Sequence, residues 1–157
     1  MLVWPVGDSG EVVRFADTVL AHFEDNRQRR LWHREAGGQL FAEVTSVGPL
    51  IVRATGPRTS DRRTRYSHAA CRTAAQAEVD ALHLEGLHYV GDWHTHPQRI
   101  PAPSWRDRLT MASRMRLSQH QLGGMIFVIV GTADFPAGLA VLVHDGAALH
   151  RLAPAKA

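Results

Sequence analysis

The chain reads as an α+β protein, a mixed β-sheet flanked by helices in an α/β/α-like arrangement. Three observations carry this. Helical-period stretches alternate with short β-branched runs along the chain. Residues 124–130 and 138–144 are apolar runs of the kind a sheet interior takes. Apolar residues make up 45% of a 157-residue chain, enough to bury one core without disulfide staples, so one domain over residues 1–157 is expected.

Taken in order, Asp8 with Glu11 resembles a capping box, and it predicts a helix whose apolar positions are Val12, Phe15, Ala16, Val19, Leu20 and Phe23. That helix ends in the arginine-rich segment before Trp32. Residues 38–44 and 49–54 predict a β-hairpin whose first strand begins just after Glu35. Residues 56–65 read as polar loop leading to a brief strand at Tyr66. An alanine-rich helix is predicted over 69–84, with Ala70, Ala74, Ala77, Ala81 and Leu84 facing the sheet and Gly86 stopping it. The run from Tyr89 to Trp93 reads as a strand. Ser104 is a natural N-cap for a helix with Leu109, Met111, Ala112, Met115 and Leu117 on its apolar face. Residues 147–152 add a last strand.

Bulk properties narrow the function classes. No apolar run approaches the eighteen or so residues of a membrane span, and the N-terminus lacks a basic segment followed by a long apolar one, so a soluble, cytoplasmic protein with no membrane partner is expected. Cys71 is the sole cysteine, which excludes an intrachain disulfide and a thiolate cluster; any metal falls to histidine and carboxylate. The net charge is +3 and Lys156 is the only lysine. Arginines cluster at Arg27, Arg29 and Arg30 and at Arg58, Arg62, Arg63 and Arg65, without interleaved aromatics to stack on bases. These read as solvated loops, with an acidic protein partner for the second cluster left open and nucleic acid disfavoured.

One motif carries chemistry. His94 and His96 lie two apart at a strand end, so their rings point to the same face, and Pro97 ends the strand after them. Asp107 follows eleven residues on, in the first turn of the helix capped by Ser104. Two imidazoles and one carboxylate make a three-ligand zinc site with a fourth position left for water, the wiring of a hydrolase. Asp92 is a candidate for orienting a ligand imidazole. Trp93 and Trp105 read as packing groups. The other histidines, His22, His33, His68, His83, His88, His120, His144 and His150, form no second spaced set.

The pattern His94, His96, Pro97, Ser104 and Asp107, preceded by Glu35-Ala36-Gly37-Gly38-Gln39-Leu40, resembles the JAMM metalloprotease family of JAB/MPN domains, most closely its bacterial branch. Ala42 stands where that family usually has glycine. Glu43 shares the strand parity of Glu35 but lies outside the motif. The resemblance implies a deaminase-like JAB/MPN core, one Zn2+ held by His94, His96 and Asp107, Glu35 as general base and then acid, and Ser104 steadying the oxyanion. It also implies an isopeptidase or peptidase acting after the C-terminal glycine of a ubiquitin-like modifier, in the company of conjugating-pathway enzymes or an antiphage operon. Alternatives are a sulfur-carrier or small-molecule amide as substrate, and a non-catalytic zinc-stabilised binding module.

Overall fold

A computed structural model describes residues 1–117 and 123–156. The elements in chain order are β1 (Leu2–Pro5), β2 (Val12–Phe15), α1 (Asp17–Asp25), β3 (Gly37–Thr45), β4 (Gly48–Ala54), β5 (Arg62–Thr64), β6 (Ser67–Ala69), α2 (Arg72–Leu84), β7 (His88–Thr95), α3 (Trp105–Leu117), β8 (Met125–Val130), β9 (Leu139–His144) and β10 (Leu149–Arg151). Eight strands form one sheet in the order β1-β2-β4-β3-β7-β8-β9-β10, and β5 with β6 forms a separate hairpin. The pairs β2/β4 and β7/β8 are parallel and the others antiparallel, so the sheet is mixed as expected.

Each face of the sheet has its own helical cover. Val19 and Phe23 of α1 pack with Trp4, Phe15, Leu40, Trp93, Val128 and Val141. On the opposite face, Met111 and Met115 of α3 pack with Met125, Phe127 and Ile129, while Leu82 and Val79 of α2 pack with Phe41 and Leu87. The register pairs His94 with Ile129, which lies in the α3-packed cluster, so His94 faces the α3 side of the sheet. His94 and His96 stand at the C-terminal end of β7.

Several expected elements are placed differently. The helix expected from Asp8 begins only at Asp17, because Val12–Phe15 pairs with β1 on one side and β4 on the other, burying Val13 and Phe15 in alternation. Helical spacing holds from Phe15 onward, yet Val12 belongs to a strand: available pairing partners override local period. Asp8 and Gly10 instead occupy the β1–β2 turn, where Gly7 and Gly10 have positive φ. The second helix starts at Arg72, not 69, and packs through Val79 and Leu82; Leu84, expected on the packed face, is 88% exposed. Along α3 the seam is Met111 and Met115, whereas Leu109 and Leu117 are exposed. Tyr66 lies in the turn between β5 and β6.

The arginine clusters are solvated only in part: Arg29, Arg30 and Arg62 are exposed, while Arg27, Arg58, Arg63 and Arg65 are tied into the structure. Arg58 is mostly buried, pairing with Glu78 at 2.8 Å and donating to Gln39 at 2.9 Å. Arg65 Nη1 donates to the carbonyls of Arg30 and Leu31. Arg27 is buried against the Phe135 ring with Glu24 as its ion partner.

The Gly37–Gly38 pair lies inside β3, and both positions need glycine for space. A Cβ on Gly38 would sit 1.7 Å from the Thr55 carbonyl oxygen. That oxygen cannot retreat freely, since it accepts the buried Trp93 Nε1–H at 2.8 Å. Gly38→Ala is therefore expected to cost at least about 2 kcal/mol by overpacking, read as a lower midpoint in urea denaturation with unchanged slope; an unchanged midpoint would contradict this account.

Candidate metal centre

Strand alternation sets the donors. On β7, His94 shares a face with Asp92, and His96, just past the strand end, keeps extended pairing through its N–H to the Val130 carbonyl at 2.9 Å. Asp107 arrives from the first turn of α3, on the same helical stripe as Met111, Arg114 and Met115. Met111 buries that stripe against the sheet, and Arg114 ties it to β7 through Asp92 at 3.1 Å. Packing thus brings the Asp107 carboxylate over the two rings.

The three donors converge. His94 Nε2 and His96 Nε2 are 3.2 Å apart, and Asp107 lies 3.2 Å from the first and 3.1 Å from the second. Donors bound at about 2.0–2.1 Å to a tetrahedral ion stand about 3.3 Å from one another, so the spacing suits one such cation. His96 Nδ1–H donates to Gln98 Oε1 at 3.1 Å, which leaves the lone pair on Nε2, the atom that faces the other donors. Gln98 was not singled out from the sequence; its position two residues past a histidine was the only available hint.

Ser104 and Asp107 form a reciprocal capping box. The Asp107 N–H donates to Ser104 Oγ at 3.1 Å, and the Ser104 N–H donates to Asp107 Oδ2 at 2.8 Å. Because Ser104 Oγ acts as acceptor there, its own hydrogen is left to donate elsewhere. Both residues line a cleft of ≈ 450 Å³ with Glu35, His68, His96 and Thr110.

Glu35 is buried, 8% exposed, at the floor of this cleft. Burial pushes its carboxyl pKa up; the His94 and His96 charges oppose that shift and the Asp107 charge adds to it. Asp107 is held below the ordinary carboxylate range: burial works against its charge, but hydrogen bonds from His94, His96 and the Ser104 amide outweigh it. His96 is raised, because the Asp107 carboxylate and Gln98 overcome burial.

What brings Glu35 here is a clamp behind the histidines. Thr95, between them in sequence, points to the opposite face and is fully buried. Its N–H donates to the Ala36 carbonyl at 2.9 Å, its Oγ1 accepts the Ala36 N–H at 2.9 Å, and its hydroxyl donates to Gln28 Oε1 at 2.8 Å. Gln28 in turn donates to the Arg65 carbonyl at 2.7 Å. From the other side, the Glu35 N–H donates to Thr64 and Arg63 Nε donates to the Glu35 carbonyl, each at 2.7 Å.

A model of the prokaryotic homologs of the JAB domain matches residues 17–141. The chain belongs to this family. Among JAB-family relatives, the chain is 30% identical over 138 residues to a CD-NTase/cGAS isopeptidase of Pseudomonas aeruginosa, covering 83% of this chain and 84% of the relative. It is 26% identical to a CD-NTase/cGAS isopeptidase of Escherichia coli over 82% of each. The solution structure of a protein from Desulfitobacterium hafniense shares the fold, with TM-score 0.59 and 16% identity over 88% of both chains. The family implies a metal, and the donor set suits one.

Some site expectations need correction. Asp92 orients no imidazole; its carboxylate accepts the Tyr89 hydroxyl at 2.8 Å and pairs with Arg114. A β-bulge, at the register shift between Leu40 and Phe41, is what puts Tyr89 and Asp92 on one face. Glu43 is exposed on β3 beyond the site. Trp93 is core, as read, while Trp105 is exposed and packs little. His68 is a wall of the cleft, and His120 lies outside the described residues.

Two outcomes follow from these contacts. Thr95→Val, near-isosteric, strands the Ala36 N–H and Gln28 Oε1 and should cost about 1–3 kcal/mol in urea denaturation, with Thr95→Ser retaining most of it; a neutral valine variant would refute the clamp. In chelator-treated protein, His96 has a raised folded pKa, so its contribution is complete below its unfolded pKa and drains as pH climbs through the folded value. Glu35, also raised, acts in the same sense, whereas Asp107, depressed, loses its contribution only in acid. Calorimetry should show the metal-free Tm falling as pH rises above the ordinary histidine range, with a shallower slope in His96→Gln; a flat or rising Tm would count against the coupling.

Proposed function

We propose that this JAB-family chain, folded as one domain over residues 1–157, is a zinc-dependent isopeptidase that hydrolyses the amide after the C-terminal glycine of a ubiquitin-like modifier. The observation that carries the proposal is the meeting of His94, His96 and Asp107 at one point, in the same cleft as Glu35 and Ser104. The names of the relatives support isopeptide cleavage, with a CD-NTase-type protein as the conjugated partner. No helix among the described residues is long and apolar enough to cross a membrane.

His94 Nε2, His96 Nε2 and Asp107 would hold the zinc. When bound, zinc acidifies a water from about 15.7 toward about 7 and polarises a carbonyl. The chain's own residues do the rest. Glu35, whose burial favours taking up a proton, accepts one from the attacking water and delivers it to the departing nitrogen, without which an amine leaves poorly. The Ser104 hydroxyl, already oriented by its acceptor bond from Asp107 N–H, donates to the carbonyl oxygen as negative charge builds on it. Asp107 stays charged and able to ligate throughout the neutral range.

A fusion joining a modifier's C-terminal glycine to a reporter protein tests this directly. Zinc-loaded protein should cleave at the glycine, and a chelator should stop it until zinc is restored. Glu35→Gln should lose about 10²-fold or more of kcat while metal analysis still finds zinc, and Ser104→Ala about 10²-fold of kcat with zinc retained. Cleavage that survives Glu35→Gln, or that ignores the chelator, would rule the mechanism out.

A further inference from the structure

Beside the metal donors, the β5–β6 hairpin carries a second histidine–carboxylate pair. His68 Nε2 lies 2.9 Å from Asp61 Oδ2, and the Asp61 side chain is fully buried. Asp61 also accepts the Arg58 N–H on Oδ2 at 2.9 Å and the Cys71 N–H on Oδ1 at 3.0 Å. Burial opposes its charge, but these amides and the His68 ring together hold its pKa below the ordinary range. A carboxylate so placed only accepts, so Nε2 of His68 must carry the hydrogen.

The tautomer determines the other edge of the ring. With hydrogen on Nε2, and burial pulling the ring's pKa down against the Asp61 charge, Nδ1 presents a lone pair. Nδ1 makes no hydrogen bond among the described residues. The ring lies over Gly37, where a Cβ would come within 2.6 Å of Nδ1, and Gly37 is the register partner of His94. His68 lines the cleft with its side chain 9% exposed, its Nδ1 edge turned toward Gly37 alongside the first candidate metal donor. The hairpin that carries it also holds the Glu35 backbone, through Thr64 and Arg63.

Resting on the isopeptidase reading, we infer that His68 Nδ1 accepts a backbone N–H of the polypeptide lying in the cleft, with Asp61 as the positioning residue that fixes the ring. An acceptor of this kind selects: a substrate residue whose nitrogen lacks hydrogen at that position is disfavoured. A hairpin staple alone would carry no such preference.

The test uses the full zinc-loaded chain, the modifier fusion, and tail-peptide amides N-methylated at one residue at a time. H68F keeps an aromatic ring but removes both the Nδ1 acceptor and the Nε2–H donor to Asp61; it should raise KM roughly five- to tenfold with kcat near wild type. Wild type should reject one N-methylated position by a similar factor in kcat/KM, and H68F should not distinguish it from the unmethylated peptide, the signature of a coupled pair in a double-mutant cycle. H68N, which places an amide oxygen near the Nδ1 position, should restore part of the discrimination. Should H68F melt early, H68A gives the same comparison. Equal N-methyl penalties in wild type and variant, or a fall in kcat at fixed KM, would overturn the role of His68 while leaving the isopeptidase reading intact. Failure of wild type and Glu35→Gln alike to cleave any fusion would overturn that reading and this one with it.

Discussion

The site rests on the buried hydroxyl of Thr95. A strand presents alternate residues to opposite faces, so the residue that separates His94 from His96 must point away from the cleft and into the protein. Threonine there satisfies the Ala36 N–H and engages Gln28, and this joins β7 to the residue beside Glu35. A buried donor left without a partner costs about 1–3 kcal/mol, so the register between the two segments has little freedom to slip. The candidate metal donors of β7 and the buried glutamate are held in one frame by a contact on the far side of the strand.

A second restraint comes from the hairpin over the sheet. Arg63 and Thr64 hold the Glu35 backbone, Arg65 holds residues 30–31, and Arg58 is pinned to Glu78 and Gln39. Arginine suits this task because its planar fork reaches several carbonyls at once. Part of the charge that a sequence count assigns to surface is thus engaged internally, while Arg29, Arg30 and Arg62 stay exposed. Glycine makes the complementary concession: Gly37 and Gly38 vacate space so that the His68 ring and the Thr55 carbonyl can approach β3.

Electrostatics in the cleft divide the carboxyls by their partners. Asp107 meets two imidazoles and the Ser104 amide, and holds its charge. Glu35 is buried, and the His94 and His96 charges offset that only in part, so it leans toward its proton. Two acids within one cleft are thereby separated in proton affinity, the condition under which one can ligate while the other exchanges protons. Asp61, with three hydrogen-bond donors, behaves like Asp107.

How much was legible in the sequence follows the range of each interaction. His94 and His96 two apart, Pro97 as stop, and the Ser104–Asp107 cap are local patterns with fixed geometry, and the hairpin of β3 and β4 and the strands β8 and β9 stand where the residues predict them. Glu35 was reachable only through motif resemblance, since nothing local joins it to residues about sixty positions on. Val12 read as helix because its spacing fits a turn of helix, yet β1 and β4 supply strand partners that no window of sequence contains. The alanine stripe of α2 fitted a packed face, and Phe41 and Leu87 selected Val79 and Leu82 instead. By itself the sequence determined the candidate donor types, their order and their shared face, because steric rules of strand and helix cap act over a few residues. Only the tertiary structure decided that Thr95 would clamp Ala36, that Asp61 would orient His68, and that Asp92 would take Tyr89 and Arg114 in place of an imidazole, because each is a contact between segments whose meeting depends on how whole elements pack.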